Sequence, residues 1–109
     1  MDKSAAAEIA LQLLQAREKT APVERPSIRH GISLDDGYQI AGEMIRRRLS
    51  AGDGIRGAKL GFTTPAVWPS VGLTGPLWAP VFESTYTESA EVVLPPMRAP
   101  EVEPEVVFG

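Results

Sequence analysis

Ala6, Ile9, Ala10, Leu13 and Leu14 recur at steps of three and four residues, the spacing of one helix face. The pattern predicts a helix from Ser4 to Lys19, with Ser4 as its N-cap. Pro22 and Pro26 then predict an extended linker. A second helical pattern follows in "SLDDGYQIAGEMIRRRLSAG", where Tyr38, Ala41, Ile45 and Leu49 form one apolar stripe. Ser33 and Asp36 have the spacing of a capping box, and Gly52 is placed to end the helix. Asp35 and Asp36 suit the positive end of the helix dipole, and Arg46, Arg47 and Arg48 its negative end. We read those arginines as a solvated helix end.

Beyond Gly54 the period shortens to two. In "IRGAKLGF", Arg56, Ala58, Leu60 and Phe62 share one face and Ile55, Gly57, Lys59 and Gly61 the other, which predicts a strand. The run "TTPAVWPSVGLTGPLWAP" is long for a plain connection, with a short helical turn expected around Ala66 to Ser70. "VFESTYTE" and "AEVVLPP" read as short strands, and a last strand is expected from Val102 to Phe108. Eight of the ten prolines lie between Pro65 and Pro104, which rules out long helices in the second half.

Composition narrows the function classes. A chain of 109 residues fits one small domain, and an apolar fraction of 43% argues against disorder. A net charge of −3 offers no basic footprint for nucleic acid. Without cysteine there is no disulfide framework, zinc knuckle or thiol nucleophile. No apolar run approaches the roughly 18 residues of a membrane span, and "MDKSAAAEIA" lacks the apolar core of a signal peptide. We therefore expect a soluble, cytoplasmic protein with no nucleic-acid or membrane partner.

Two features can carry chemistry. Glu103 and Glu105 stand at i and i+2, so on a strand both carboxylates face one way and can meet a hard divalent ion. An exposed, charged sheet edge explains the same spacing without a metal. Lys59 lies between Gly57 and Gly61 on its strand face, where missing side chains leave room for a ligand. A lysine snorkelling at a sheet rim is the plain alternative. His30 has no second histidine nearby and reads as a surface or capping residue. Trp68 and Trp78 flank the long loop and read as core packing before pocket walls.

The segments "AEIALQLLQAR", "ISLDDGYQIAGEMIRRRLSAGDGIRGAKLGFTT" and "PEVEPEVVFG", in that order, resemble the N-terminal part of the fumarylacetoacetate hydrolase superfamily. The resemblance is to its 2-keto-4-pentenoate hydratase and 4-oxalocrotonate decarboxylase branch, and its most specific pieces are "GAKLGFT" and "VEPEVVF". It implies a metal-dependent lyase acting on small 2-oxo acids through an enol or enolate. By that match Glu103 and Glu105 are ligands of Mg²⁺ or Mn²⁺, and Lys59 is the active-site lysine. Thr63 and Thr64 are placed to hydrogen-bond a substrate carboxylate.

The implied fold is α+β: two N-terminal helices packed on a mixed, curved β-sheet, the beginning of a larger β-roll. Residues 1–54 would form the helical region and residues 55–109 an incomplete first half of the catalytic sheet. The family's metal site takes a further acidic ligand from a later strand, so the isolated chain is expected to be inactive. By the same resemblance Leu77 stands where hydratases of the branch carry an aspartate, which leaves hydration and decarboxylation both open. The alternative is a non-catalytic truncated domain or split subunit that associates with a companion chain or with itself. Either way, a homo-oligomer or a companion C-terminal half is the expected partner.

Overall fold

The computed structural model describes residues 1–109 as four helices and two strands. Helix α1 spans Lys3–Glu18, α2 Pro26–His30 and α3 Leu34–Ser50. Strand β1 spans Ile55–Gly61, α4 Trp68–Val71 and β2 Leu77–Phe82. Mixed helix and strand is the class expected from the sequence.

The cap of α1 is Asp2 instead of Ser4, because the Asp2 carboxylate accepts the Ala5 amide at 2.8 Å. An ionised acceptor at the positive helix end outcompetes the serine hydroxyl. The cap of α3 is as expected. Ser33 Oγ accepts from the Asp36 amide and Asp36 Oδ2 accepts from the Ser33 amide, at 3.2 and 3.0 Å. Gly52, with φ of +89°, turns the chain after α3 in a conformation a side chain would strain. The Pro22–Pro26 linker is extended only at its start: Pro26 opens the short α2, the helix position proline tolerates best.

Helices α1 and α3 pack on each other. Ala6, Ile9 and Ala10 meet Ile40, with Leu13, Ile32 and Met44 around them. Small alanines on α1 let the helices approach closely. The stripe of α3 read from the sequence points elsewhere: Tyr38, Ala41 and Ile45 line a groove shared with β2, and Leu49 is exposed. One helix therefore has two apolar sides, the first against α1 and the second toward the sheet.

Strands β1 and β2 pair antiparallel, with Lys59 opposite Ala79, Leu60 opposite Trp78 and a bulge between Ile55 and Gly57. The connection carries a 3₁₀ turn at Pro65–Val67 followed by α4, matching the helical turn expected there. A mixed, curved sheet is not formed by these residues; the sheet is two-stranded and antiparallel. "VFESTYTE" is strand only through Phe82 and then becomes a 3₁₀ turn at Glu83–Thr85. Residues 86–109 contain no helix or strand, so the strands expected from "AEVVLPP" and from Val102 to Phe108 are not formed. Alternation describes which residues a strand can bury, but only a neighbouring backbone supplies the ladder that makes it a strand.

Candidate functional site

Lys59 sits in the middle of β1. A Cβ added at Gly57 or Gly61 would meet nothing within 4 Å, so the face around the lysine is open on both sides. Lys59 Nζ lies 3.8 Å from Glu105 Oε1, with the two side chains about half exposed, at 50% and 46%. The structure thus brings together two residues that are 46 positions apart in the chain and were singled out independently. Glu103 is exposed beside them in sequence, as is Glu101. No cluster of three or more His, Cys, Asp or Glu side chains is assembled. Oxygen-only carboxylate donors suit Mg²⁺, which often takes one or two carboxylates and fills its remaining positions with water or substrate. Glu103 and Glu105 fit such an ion in donor type, with Lys59 in reach of Glu105. They lie outside any strand, however, so strand alternation does not give their carboxylates the shared face expected from the spacing.

Thr63 and Thr64 are exposed at the exit of β1. Between them and the strand stands Phe62, whose φ of +54° is a left-handed conformation for a bulky side chain. Such a residue costs about 1–3 kcal/mol and persists only where neighbours impose it. The neighbour here is Trp68, whose indole Nε1–H donates to the Phe62 carbonyl at 2.6 Å. Sequence reasoning read Trp68 as packing and missed this bond. A tryptophan in a proline-bounded turn, needing a partner for its N–H, was the available signal.

The face opposite Lys59 is different. Side chains alternate along β1, so Leu60 and its neighbour Trp78 point away from the lysine. Trp78 stacks on Tyr38 of α3 with ring centroids 6.2 Å apart, and its amide donates to the Tyr38 hydroxyl at 3.3 Å. These rings and Phe82 wall a groove of about 610 Å³ between α3 and β2. The groove is mostly apolar and lies on the wrong face to share Lys59. Trp78 is a groove wall, 52% exposed, and not the core plug expected from sequence.

At the far end of β2, Arg48 is no solvated helix end. Its Nη2 donates to Asp53 Oδ2 at 2.6 Å and to Ser84 Oγ at 3.0 Å, and its guanidinium lies 3.6 Å from the Phe82 ring centroid. Asp53 also accepts from the Ser84 amide and hydroxyl. Hydrogen bonding from Ser84, with Arg48 adding to it, holds the Asp53 carboxyl below the usual carboxylate range. This network locks the sheet to the end of α3, and so fixes where β1 begins. His30 ends α2 and is exposed, with no chemical partner brought to it. Leu77 opens β2 opposite Gly61.

A solved structure of 4-oxalocrotonate decarboxylase from Pseudomonas putida G7, complexed with magnesium and adipate, matches 77% of this chain and 32% of its own. The TM-score is 0.72 at 19% identity, a likeness of fold. The same enzyme complexed with calcium and acetate gives the same TM-score. In sequence, a 2-hydroxypent-2,4-dienoate hydratase of Pseudomonas putida is 32% identical over 113 residues, covering 99% of this chain. These likenesses fit the hydratase and decarboxylase branch of the fumarylacetoacetate hydrolase superfamily, matched over its N-terminal part. A 2-keto-4-pentenoate hydratase of Paraburkholderia xenovorans, strain LB400, agrees at 29% identity over 94% of this chain. No family model matches the chain. The chain spans about half the length of the first of these hydratases, 50%, and 38% of the second. No helix is long and apolar enough to cross a membrane.

Proposed function

We propose that residues 1–109 are the N-terminal part of a divalent-metal-dependent lyase, a hydratase or decarboxylase, that acts on small 2-oxo acids. The observation that carries this reading is the approach of Lys59 Nζ to Glu105 Oε1, 3.8 Å apart on the open face of β1. Similarity to hydratases and to decarboxylase folds supports the reaction class. In the complete protein, β1 and β2 belong to a larger curved sheet.

Glu103 and Glu105 hold the ion, Mg²⁺ or Mn²⁺, through carboxylate oxygens. A bound ion supplies Lewis-acid stabilisation of the negative charge that develops beside a 2-oxo group. Lys59 holds or delivers a proton at its Nζ next to that charge, or neutralises it as the ammonium. Thr63 and Thr64 offer hydroxyl donors to the substrate carboxylate at the end of the strand. Two carboxylates make a partial site, so residues 1–109 by themselves bind the ion weakly and do not turn over. The same shortfall makes a companion C-terminal half the natural partner.

The test is an NMR titration of the full 109-residue chain with Mn²⁺, then with Mg²⁺ and oxalate, a non-reacting 2-oxo acid mimic. Paramagnetic broadening confined to the amides around Lys59 and residues 103–105 is expected. Glu105→Gln weakens binding by at least about tenfold, and Lys59→Met weakens oxalate more than the metal. Broadening spread over all acidic surface residues, unchanged by Glu103→Gln and Glu105→Gln together, would reject the reading.

A further inference from the structure

We propose that Trp68 is a positioning residue: its indole N–H holds the Phe62 turn in the left-handed region and so sets where Thr63 and Thr64 leave β1 relative to Lys59. The hold has two ends, and both are fixed. At one end, the Phe62 carbonyl accepts the indole at 2.6 Å immediately after the last residue of β1. At the other, the Trp68 backbone is tied on both sides, its amide donating to the Pro65 carbonyl and its carbonyl accepting from the Leu73 amide. The Val67 amide donates to the Thr64 carbonyl at 3.1 Å, which closes the short loop between them.

A phenylalanine has no intrinsic reason to adopt a φ of +54° at an exposed strand exit. With Phe62 47% exposed, its ring is not what the turn is built around. The carbonyl is. In an extended conformation Phe62 would continue β1 and carry Thr63 and Thr64 onward along the strand direction. The left-handed turn instead redirects the chain into the 3₁₀ turn at Pro65–Val67. Trp68 itself does not need to touch a substrate to act in this way. The link from the turn to substrate rests on the functional reading above; the hold on Phe62 does not.

The two are separable by experiment on the full 109-residue chain. Trp68→Phe keeps an aromatic ring but removes the donor. Phe62→Asn supplies a residue that tolerates the left-handed region unaided. The φ of Phe62 is read from its three-bond amide coupling and Cα shift, and oxalate affinity is measured by titration in Mg²⁺. Trp68→Phe is expected to release Phe62 to negative φ and to weaken oxalate by about five- to tenfold. The double variant Phe62→Asn with Trp68→Phe then recovers most of that affinity, which a general loss of packing would not. The proposal is overturned if φ stays positive in Trp68→Phe, or if affinity falls and the double variant fails to restore it. If the wild-type chain binds no oxalate, the functional reading fails, and the coupling at Phe62 alone decides the hold.

Discussion

Between them, α1 and α3 bury Ala6, Ile9, Ala10 and Ile40, whereas every residue of β1 from Ile55 to Leu60 is exposed. The contrast continues into the tail, where Val102, Val106, Val107 and Phe108 are 97, 82, 85 and 91% exposed. Both regions are comparably apolar along the chain. What differs is the range over which each closes its interactions. A helix satisfies its own backbone and needs one neighbour for its apolar face, and α1 and α3 are that neighbour for each other. A strand needs a second backbone on each edge and a layer on each face. The β1–β2 pair has one shared edge and a single contact layer through α3. The proposed site lies on the less supported region, with Lys59 on the open face and Glu105, 3.8 Å from it, on the tail.

The sharpest way to break this contrast is at the helix interface. Ile9→Ala deletes a side chain that is 4% exposed, and an unfolding loss of about 2–4 kcal/mol is expected in urea titration. If it costs no more than a surface change, the helix pair is not the stable unit. A smaller effect is expected where the halves are joined. Arg48→Ala removes the guanidinium over the Phe82 ring, a contact worth about 1 kcal/mol, and leaves Asp53 and Ser84 without it. Hydrogen exchange should then rise in β1 and β2 but not in α1, and equal acceleration everywhere would show that the halves unfold as one.

Acid sharpens the comparison next. The Asp36 carboxyl lies well below the ordinary carboxylate range, first through its hydrogen bond from the Met1 ammonium at 2.7 Å and then through Ser33. Asp53 is lowered too. A carboxyl with a depressed folded pKa adds stability that is complete above its unfolded value and lost as pH falls toward the folded one. The Met1 ammonium has the opposite sign: its pKa is raised from 8.0 by Asp36, so its contribution is complete below that value and fades as pH rises above it. Unfolding midpoints should therefore fall from about pH 5 to about pH 2, and Asp36→Asn should flatten that slope. A slope unchanged by Asp36→Asn and Asp53→Asn would put the acid sensitivity elsewhere. The smallest effect belongs to the tail, where Val106→Thr with Val107→Thr should shift stability by less than about 0.5 kcal/mol. A larger loss in the isolated chain would mean that the tail packs after all.

How far the sequence could be read follows the same division. The capping box at Ser33 and Asp36, the stop at Gly52, the period-two run from Ile55 and the turn around Ala66 to Ser70 are local signals, and each stands where it was read. The three-residue spacing of Ser33 and Asp36 is enough to close a ring of hydrogen bonds, whatever lies beyond. The cap at Asp2, the second apolar side of α3 and the short helix at Pro26 were missed because each depends on competition between near-equal local choices.

By itself the chain order nominated the residues proposed to carry chemistry. Lys59 was marked by its flanking glycines, and Glu103 and Glu105 by their i, i+2 spacing, all before any neighbour was known. Only the tertiary structure decided that the lysine and Glu105 meet at 3.8 Å, that Arg48 is bound to Asp53 and Ser84, and that Trp68 grips the Phe62 carbonyl. The physical reason is reach. Backbone conformation is chosen within a few residues, where sterics and capping act, but a charge or an indole N–H finds its partner wherever the folded chain happens to bring one.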